Sequence, residues 1–255
     1  MTRLAPQDGI AIVTGAGSGL GRALALDLAR RGFTVVGIGR RRDALEETQA
    51  RAPDRVFPLV LDVSDAAAVR DAFATLRQRH GRIALLINNA AIYPHRDILD
   101  ETGESFMESV AINLGGVVNC SRAALGDMCE TGHGRILNVS TFADLSPLPT
   151  ASAYSVSKGA ARIFTRALIA DLGDRFPGIV IGDWMPGMLR TDMGIPDGLA
   201  PEQAARWGVE LALRLDPALT GAVFECDTEV LPPRGLKGRI RDMLLLRRRR
   251  PRRLS

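Results

Sequence analysis

Tyr154 and Lys158 stand four residues apart in Ala153-Tyr-Ser-Val-Ser-Lys158-Gly-Ala, a spacing that puts both side chains on one face of a helix. A free phenol titrates near about 10 and moves protons slowly at neutral pH. An ammonium one turn away favours the phenolate and draws its pKa toward the working range. The pair then becomes a proton donor and acceptor for chemistry at an oxygen atom.

A second group of residues suits a different ligand. Gly15-Ala-Gly-Ser18-Gly19-Leu20-Gly21 follows the apolar run Ile10–Thr14 and opens a helical pattern. Glycines permit positive φ and close backbone approach to a pyrophosphate, and the helix N-terminus adds partial positive charge. Strand, glycine turn, helix is the context that a dinucleotide-binding turn requires. The end of the next apolar run selects the nucleotide. An NAD site places an acid there for the ribose 2′-OH, whereas this chain has Gly39-Arg40-Arg41-Arg42. Guanidinium groups pair well with phosphate, and cations at a helix start are unfavourable without an anion nearby. NADP(H) is therefore the expected cofactor, with Arg40 and Arg41 at its 2′-phosphate. Asp43 competes as a ribose acid, but Glu46 three residues later makes it look like an N-cap in a capping box.

These groups need a scaffold. Strands are predicted at Ile10–Thr14, Thr34–Ile38, Val56–Leu61, Ile83–Asn88, Arg135–Ser140, Ile179–Asp183 and Ala222–Glu225. The first six are nearly continuous apolar runs, as in sheets covered on both faces. Helical spacing fills Leu20–Arg31, Asp43–Ala50, Asp65–Arg79, part of Glu104–Cys129, Ala153–Arg175 and Pro201–Leu213, with Asp65 as an N-cap. The alternation predicts an α/β, Rossmann-type, doubly wound sheet of about seven mostly parallel strands with helices on both faces. Residues 1–233 form one domain in this reading, and 234–255 a basic tail.

Composition narrows the class. With 46% hydrophobic and 24% charged residues in a chain of 255, the sequence can bury a large core. It has no apolar run near the roughly 20 residues that span a bilayer, and Met1–Gly9 does not read as a secretory leader. Three cysteines, none in a C-x-x-C arrangement, suggest free thiols in a reducing, cytoplasmic setting; no metal is expected. The net charge of +4 is uneven: residues 234–255 hold ten basic side chains and one acid, leaving 23 basic and 28 acidic elsewhere. The basic balance thus belongs to the tail, and nucleic acid is not an expected partner of the body. Leu236, Ile240, Met243 and Leu244 in the tail follow helical spacing that suits docking on the body or a partner. Its arginines suit an anionic membrane surface or nucleic acid, and a disordered, solvated tail is the reading preferred.

Further motifs stand in order: Thr14-Gly15-Ala-Gly-Ser-Gly19-Leu-Gly21, Asp62-Val63, Asn88-Asn89-Ala90-Ala91, Asn113, Tyr154 with Lys158, and Pro186-Gly187-Met-Leu-Arg-Thr191. On these the chain resembles the short-chain dehydrogenase/reductase family, in its compact single-domain branch, from about Gly9 to Glu225. The resemblance implies an oxidoreductase that moves a hydride between nicotinamide and a carbonyl/alcohol pair, with a homodimer or homotetramer as the assembly. It implies Tyr154 as proton donor to the substrate oxygen, and Lys158 as holder of the nicotinamide ribose and depressor of the Tyr pKa. Asn113 interrupts regular helix bonding and positions a relay water. By the same resemblance Asp62 and Val63 would hold the adenine, Thr191 and the backbone near Leu189 would hold the carboxamide, and Asn89, Ala90, Ala91, Ser140, Pro186 and Gly187 would lie along the cofactor. The family's serine donor falls on Thr141 here, a departure that retains a hydroxyl, with the neighbouring Ser140 as the alternative donor, and Ala91 replaces a glycine. The segments closing the pocket carry Ile92, Tyr93, Pro94 and His95, then Phe142, Leu145 and Leu148, then Met188, Leu189, Met193 and Ile195. Such a lining suits a hydrophobic or aromatic ketone or aldehyde. The alternatives are an NADP-binding regulator without turnover and an epimerase- or dehydratase-like relative. Only nine residues separate Thr191 from Pro201, so the pocket is expected to be open or completed by another subunit.

Overall fold

The computed structural model describes residues 2–232 and 250–254. Its strands are β1 (Ile10–Thr14), β2 (Val35–Gly39), β3 (Val56–Val60), β4 (Ile83–Asn88), β5 (His133–Val139), β6 (Gly178–Met185), β7 (Val223–Glu225) and β8 (Thr228–Glu229). The helices are α1 (Gly19–Arg30), α2 (Arg42–Ala50), α3 (Ala66–His80), α4 (Gly103–Val110), α5 (Gly116–Thr131), α6 (Ser152–Leu172) and α7 (Pro201–Ala212). One sheet runs β3-β2-β1-β4-β5-β6-β7-β8. Its first seven strands are parallel and β8 turns back antiparallel on β7.

Strands β1, β4 and most of β6 are buried throughout, as their unbroken apolar sequences require. Edge position changes this for β3, whose residues past Val56 are only partly covered. There Pro58, which has no N–H to donate, is tolerated. Two apolar layers sandwich the sheet. Leu20, Leu24 and Leu28 of α1, Leu45 of α2 and Ala204, Val209 and Ala212 of α7 fill one. Val69, Phe73 and Leu76 of α3, Cys120, Ala124 and Met128 of α5 and Leu172 of α6 fill the other.

Two local expectations fail. Asp65 does cap α3, its carboxylate accepting from the Ala67 and Ala68 N–H groups. Asp43, however, lies inside the first turn of α2, and the cap position is Arg41, which makes no side-chain capping bond. The Asp43–Glu46 box therefore does not form, and Glu46 faces Arg42 instead, at 3.8 Å. The second failure is at the C-terminus. Residues 233–249, with the predicted helical spacing of Leu236 to Leu244, lie outside the described residues. Residues 250–254 are not a solvated tail but a strap on the body. Arg253 bridges antiparallel to Thr228, Arg252 pairs with Glu229 at 2.7 Å, and Leu254 is buried in the core. An apolar side chain with a socket gains more from burial than a short segment gains from solvation. Leu254→Ala is expected to cost about 2–3 kcal/mol, a fall of roughly 5–10 °C in melting temperature by calorimetry. An unchanged melting temperature would mean that the strap is not docked in solution.

Candidate active site

Strand order reverses between β1 and β4, and a crevice opens at such a switch point beyond the carboxyl ends of the strands. A cleft of about 770 Å³ lies there. Every residue assigned from sequence to the cofactor lines it, as do Thr141, Tyr154 and Lys158. Asn113 does not; it is fully buried behind the wall.

The glycine turn is built for backbone contact. Gly15 sits at φ +70°, and a Cβ on Gly21 would stand 2.1 Å from the Gly15 carbonyl oxygen. The turn is tied to β4: Thr14 Oγ1 accepts the N–H groups of Asn89 and Ala90, and Asn89 Nδ2 donates to the Thr14 carbonyl, each at 2.9 Å. Asn89 thus spends its amide nitrogen on holding the turn. Arg22 of α1, not singled out from sequence, ties the turn to α2 through the Gly17 and Ala44 carbonyls, Thr48 and Glu47. From the far side, Thr191 packs against Gly19.

At the end of the cleft beside β2 and β3, Asp62 Oδ1 accepts from the Ser64 N–H (2.9 Å) and hydroxyl (2.7 Å). These bonds, helped by the Arg40 charge, hold its carboxyl below the usual range. Sequence reasoning missed Ser64, although an acid followed two residues later by serine is an Asx-turn signal. Arg40 and Arg41 are exposed at the rim, and Arg41 reaches Ser18 Oγ at 3.5 Å.

At the opposite end, helix α6 carries Tyr154 and Lys158. Burial pushes the Lys158 ammonium down to about 8; its Nζ donates to the Val139 carbonyl at 2.8 Å. Burial also raises the Tyr154 phenol, a hydrogen bond with Thr141 opposes that rise, and the nearby Tyr93 and Asp144 add to it. The expected lowering by Lys158 is absent from this balance, because the ammonium is turned to the strand carbonyl and burial penalises the phenolate. Thr141 and Ser140 follow the end of β5 and diverge. Thr141 faces Tyr154, while Ser140 Oγ accepts from Arg162 at 3.1 Å.

Between α4 and α5 the helix loosens into a π-turn, Ala111–Gly115, centred on Asn113. The Asn113 side chain accepts the Ile92 N–H (2.8 Å) and donates to the Ile92 carbonyl (2.9 Å) and Ser157 Oγ (3.0 Å). Both amide protons are used, so the side chain fastens the segment after β4 to α6.

Next to these residues, Tyr93 stacks on Tyr154 with ring centroids 4.4 Å apart, and His95 lies against Tyr93 at 4.0 Å. Leu148, Met188, Met193 and Ile195 border the mouth, all exposed. The short segment after Thr191 folds back on itself: Leu189 bridges Leu199, and the Ile195 N–H donates to the Leu189 carbonyl at 2.9 Å. Among the described residues no group of three or more His, Cys, Asp or Glu could hold a metal. No described helix is long and apolar enough to cross a membrane.

A family profile described as short chain dehydrogenase matches residues 9–199. A Mycobacterium tuberculosis protein with the name "Probable oxidoreductase EphD" is 38% identical over 190 residues, 73% of this chain; the chain spans only about a third (32%) of that relative's length. The short-chain reductase protein NovJ of Streptomyces niveus is 36% identical over 73% of this chain and 71% of its own. A 2-(R)-hydroxypropyl-CoM dehydrogenase of Xanthobacter autotrophicus is 36% identical, with 72% and 76% covered. A crystal structure assigned to a betaketoacyl-ACP reductase superposes with a TM-score of 0.76 at 29% identity, covering 86% of this chain and 96% of that one.

Proposed function

The chain belongs to the short-chain dehydrogenase family, and from that premise we propose that it is an NADP(H)-dependent reductase of hydrophobic or aromatic ketones or aldehydes, reversible as an alcohol dehydrogenase. One observation supports this above the others: a single cleft has the glycine turn and Arg40/Arg41 at one end and Thr141, Tyr154 and Lys158 at the other.

The residues present fit a phosphorylated dinucleotide. Side chains on Gly15 or Gly21 would collide with Asn89 and the turn's own backbone and so distort the turn, and the groups near the rim are the Arg40 and Arg41 guanidiniums and the Ser18 hydroxyl, donors suited to phosphate. Asp62 and Val63 would take the adenine, Arg40 and Arg41 the 2′-phosphate, Lys158 the nicotinamide ribose, and Leu189 and Thr191 the carboxamide. Bound there, the cofactor supplies or accepts a hydride. The protein's own part is the proton. Tyr154 gives its phenolic proton to the substrate oxygen while Thr141 donates a hydrogen bond to the same atom. Lys158, with a pKa near 8, exchanges protons readily at working pH and resupplies the phenol. The Asn113 side chain is committed to Ile92 and Ser157, so it is the Asn113 main chain in the π-turn that would serve a relay water. The apolar mouth suits the substrate class. Met107 of α4 and Val156 and Ile163 of α6, exposed and apolar, are consistent with a homodimer or homotetramer, and the free thiols with a cytoplasmic setting.

The test is oxidation of NADPH and of NADH, followed at the nicotinamide absorbance across ketones, quinones and aldehydes. NADPH turnover with apolar carbonyls is expected, and silence with every compound would overturn the reading. For cofactor choice, Arg40→Asp should weaken NADPH binding by about tenfold or more and shift preference toward NADH. An unaltered ratio of the two kcat/KM values would place the phosphate elsewhere.

A further inference from the structure

The turn that presents Thr141 is gripped from below by an ion pair that lines no part of the cleft. Arg162 stands on α6, one turn past Lys158. Its guanidinium donates to the Thr141 carbonyl (2.6 Å) and to Asp144 Oδ1 (3.0 Å), and its Nε lies 2.8 Å from Asp144 Oδ2. The two side chains are 9% and 5% exposed. The turn also sits close on the helix: a Cβ on Gly159 would meet Asp144 Cβ at 3.3 Å.

Inside the turn, Thr141 Oγ1 accepts the Ala143 N–H at 3.2 Å. A hydroxyl has one proton to give. With an acceptor site of the oxygen filled from the backbone behind it, that proton is directed outward, toward Tyr154. The orientation exists only while the turn from Thr141 to Asp144 keeps its shape, and Arg162 holds both ends of it. Burying an ion pair carries a desolvation cost that apolar packing would avoid, which makes fixed geometry the better account of its presence.

We propose that Asp144 and Arg162 are positioning residues that lock the Thr141 turn so that its hydroxyl is presented as a donor to the substrate oxygen. The proposal rests on the roles given above to Thr141 and Tyr154, and its test separates the two.

The chain has two tyrosines, Tyr93 and Tyr154, so ring-labelled tyrosine gives two NMR signals that Tyr93→Phe assigns, and Tyr154 can be titrated without any substrate. Thr141, Tyr93 and Asp144 are the groups that act on its titration, and Lys158 stands one helical turn away on α6. The Asp144 charge raises the Tyr154 pKa and the Thr141 bond lowers it, the latter being the stronger. Removing only the Asp144 charge would therefore lower the titration midpoint, whereas releasing the turn withdraws the Thr141 hydroxyl and raises it. Asp144→Ala is expected to raise the midpoint, and to lower it in a Thr141→Val background. Arg162→Lys, which keeps both charges but cannot span the Thr141 carbonyl and the two Asp144 oxygens at once, should raise it as well and serves where the alanine variant fails to fold. A fall in the wild-type background, or no change, overturns the proposal. In turnover, both variants should lose about a hundredfold in kcat with KM for the carbonyl and Kd for NADPH nearly unchanged; a rise in KM at constant kcat also overturns it. Failure of the functional reading looks different: Tyr154→Phe would retain full turnover while the titration shifts stand.

Discussion

Tyr154→Phe is expected to lower kcat for carbonyl reduction by about a thousandfold, within the range that a positioned proton donor contributes, with NADPH affinity held within about twofold by fluorescence titration. The substitution removes one oxygen and keeps the ring, so the stack on Tyr93 at 4.4 Å and the packing of α6 persist. Thr141 still offers its hydroxyl to the substrate, which leaves polarisation without a proton. That residue of catalysis is why the loss is large and not complete. Unchanged turnover would remove Tyr154 from the chemistry, and with it the assignment of the cleft's inner end.

The second large effect belongs to the other end. Gly21→Ala would set a methyl 2.1 Å from the Gly15 carbonyl oxygen and 2.6 Å from Asn89 Nδ2, neither of which is the free end of a flexible chain. The turn must move, and a displacement near 1 Å is enough to cost about a hundredfold where backbone groups meet a ligand. NADPH binding by fluorescence quenching should fall by at least that factor, and overpacking should add about 1–3 kcal/mol of destabilisation. Gly103→Ala is the control, since a Cβ there meets nothing within 4 Å. Equal NADPH affinity in the Gly21 and Gly103 variants would mean that the turn does not bear the dinucleotide.

Much of this was legible because the signals are local or periodic. The strands came out within a few residues of their predicted ends, and Tyr154, Lys158 and the glycine turn reached one cleft by virtue of the fold's order. What escaped has physical reasons. A two-residue strand such as β8 has no period to detect. Asp43 and Glu46 carry the residue types of a capping box, but where the helix begins is set by how Gly39 and Arg40 leave β2. The strap at Leu254 is docked by a socket made of distant residues. Arg162 and Asp144 lie 18 positions apart in a helix and a loop, with no spacing rule to pair them. The direction of the Tyr154 pKa depends on burial, which four-residue spacing cannot report.

The sheet has two rims, and each is closed differently. On β3, Pro58 leaves a gap in the row of donors that an incoming strand would need. On β8, Arg253 and its neighbours already occupy the partner's place, with the Leu254 N–H bonded to the Asp227 carbonyl. Both rims are thereby made poor templates for another chain, so the few residues at the C-terminus protect this α/β body from edge-to-edge aggregation as well as packing against it.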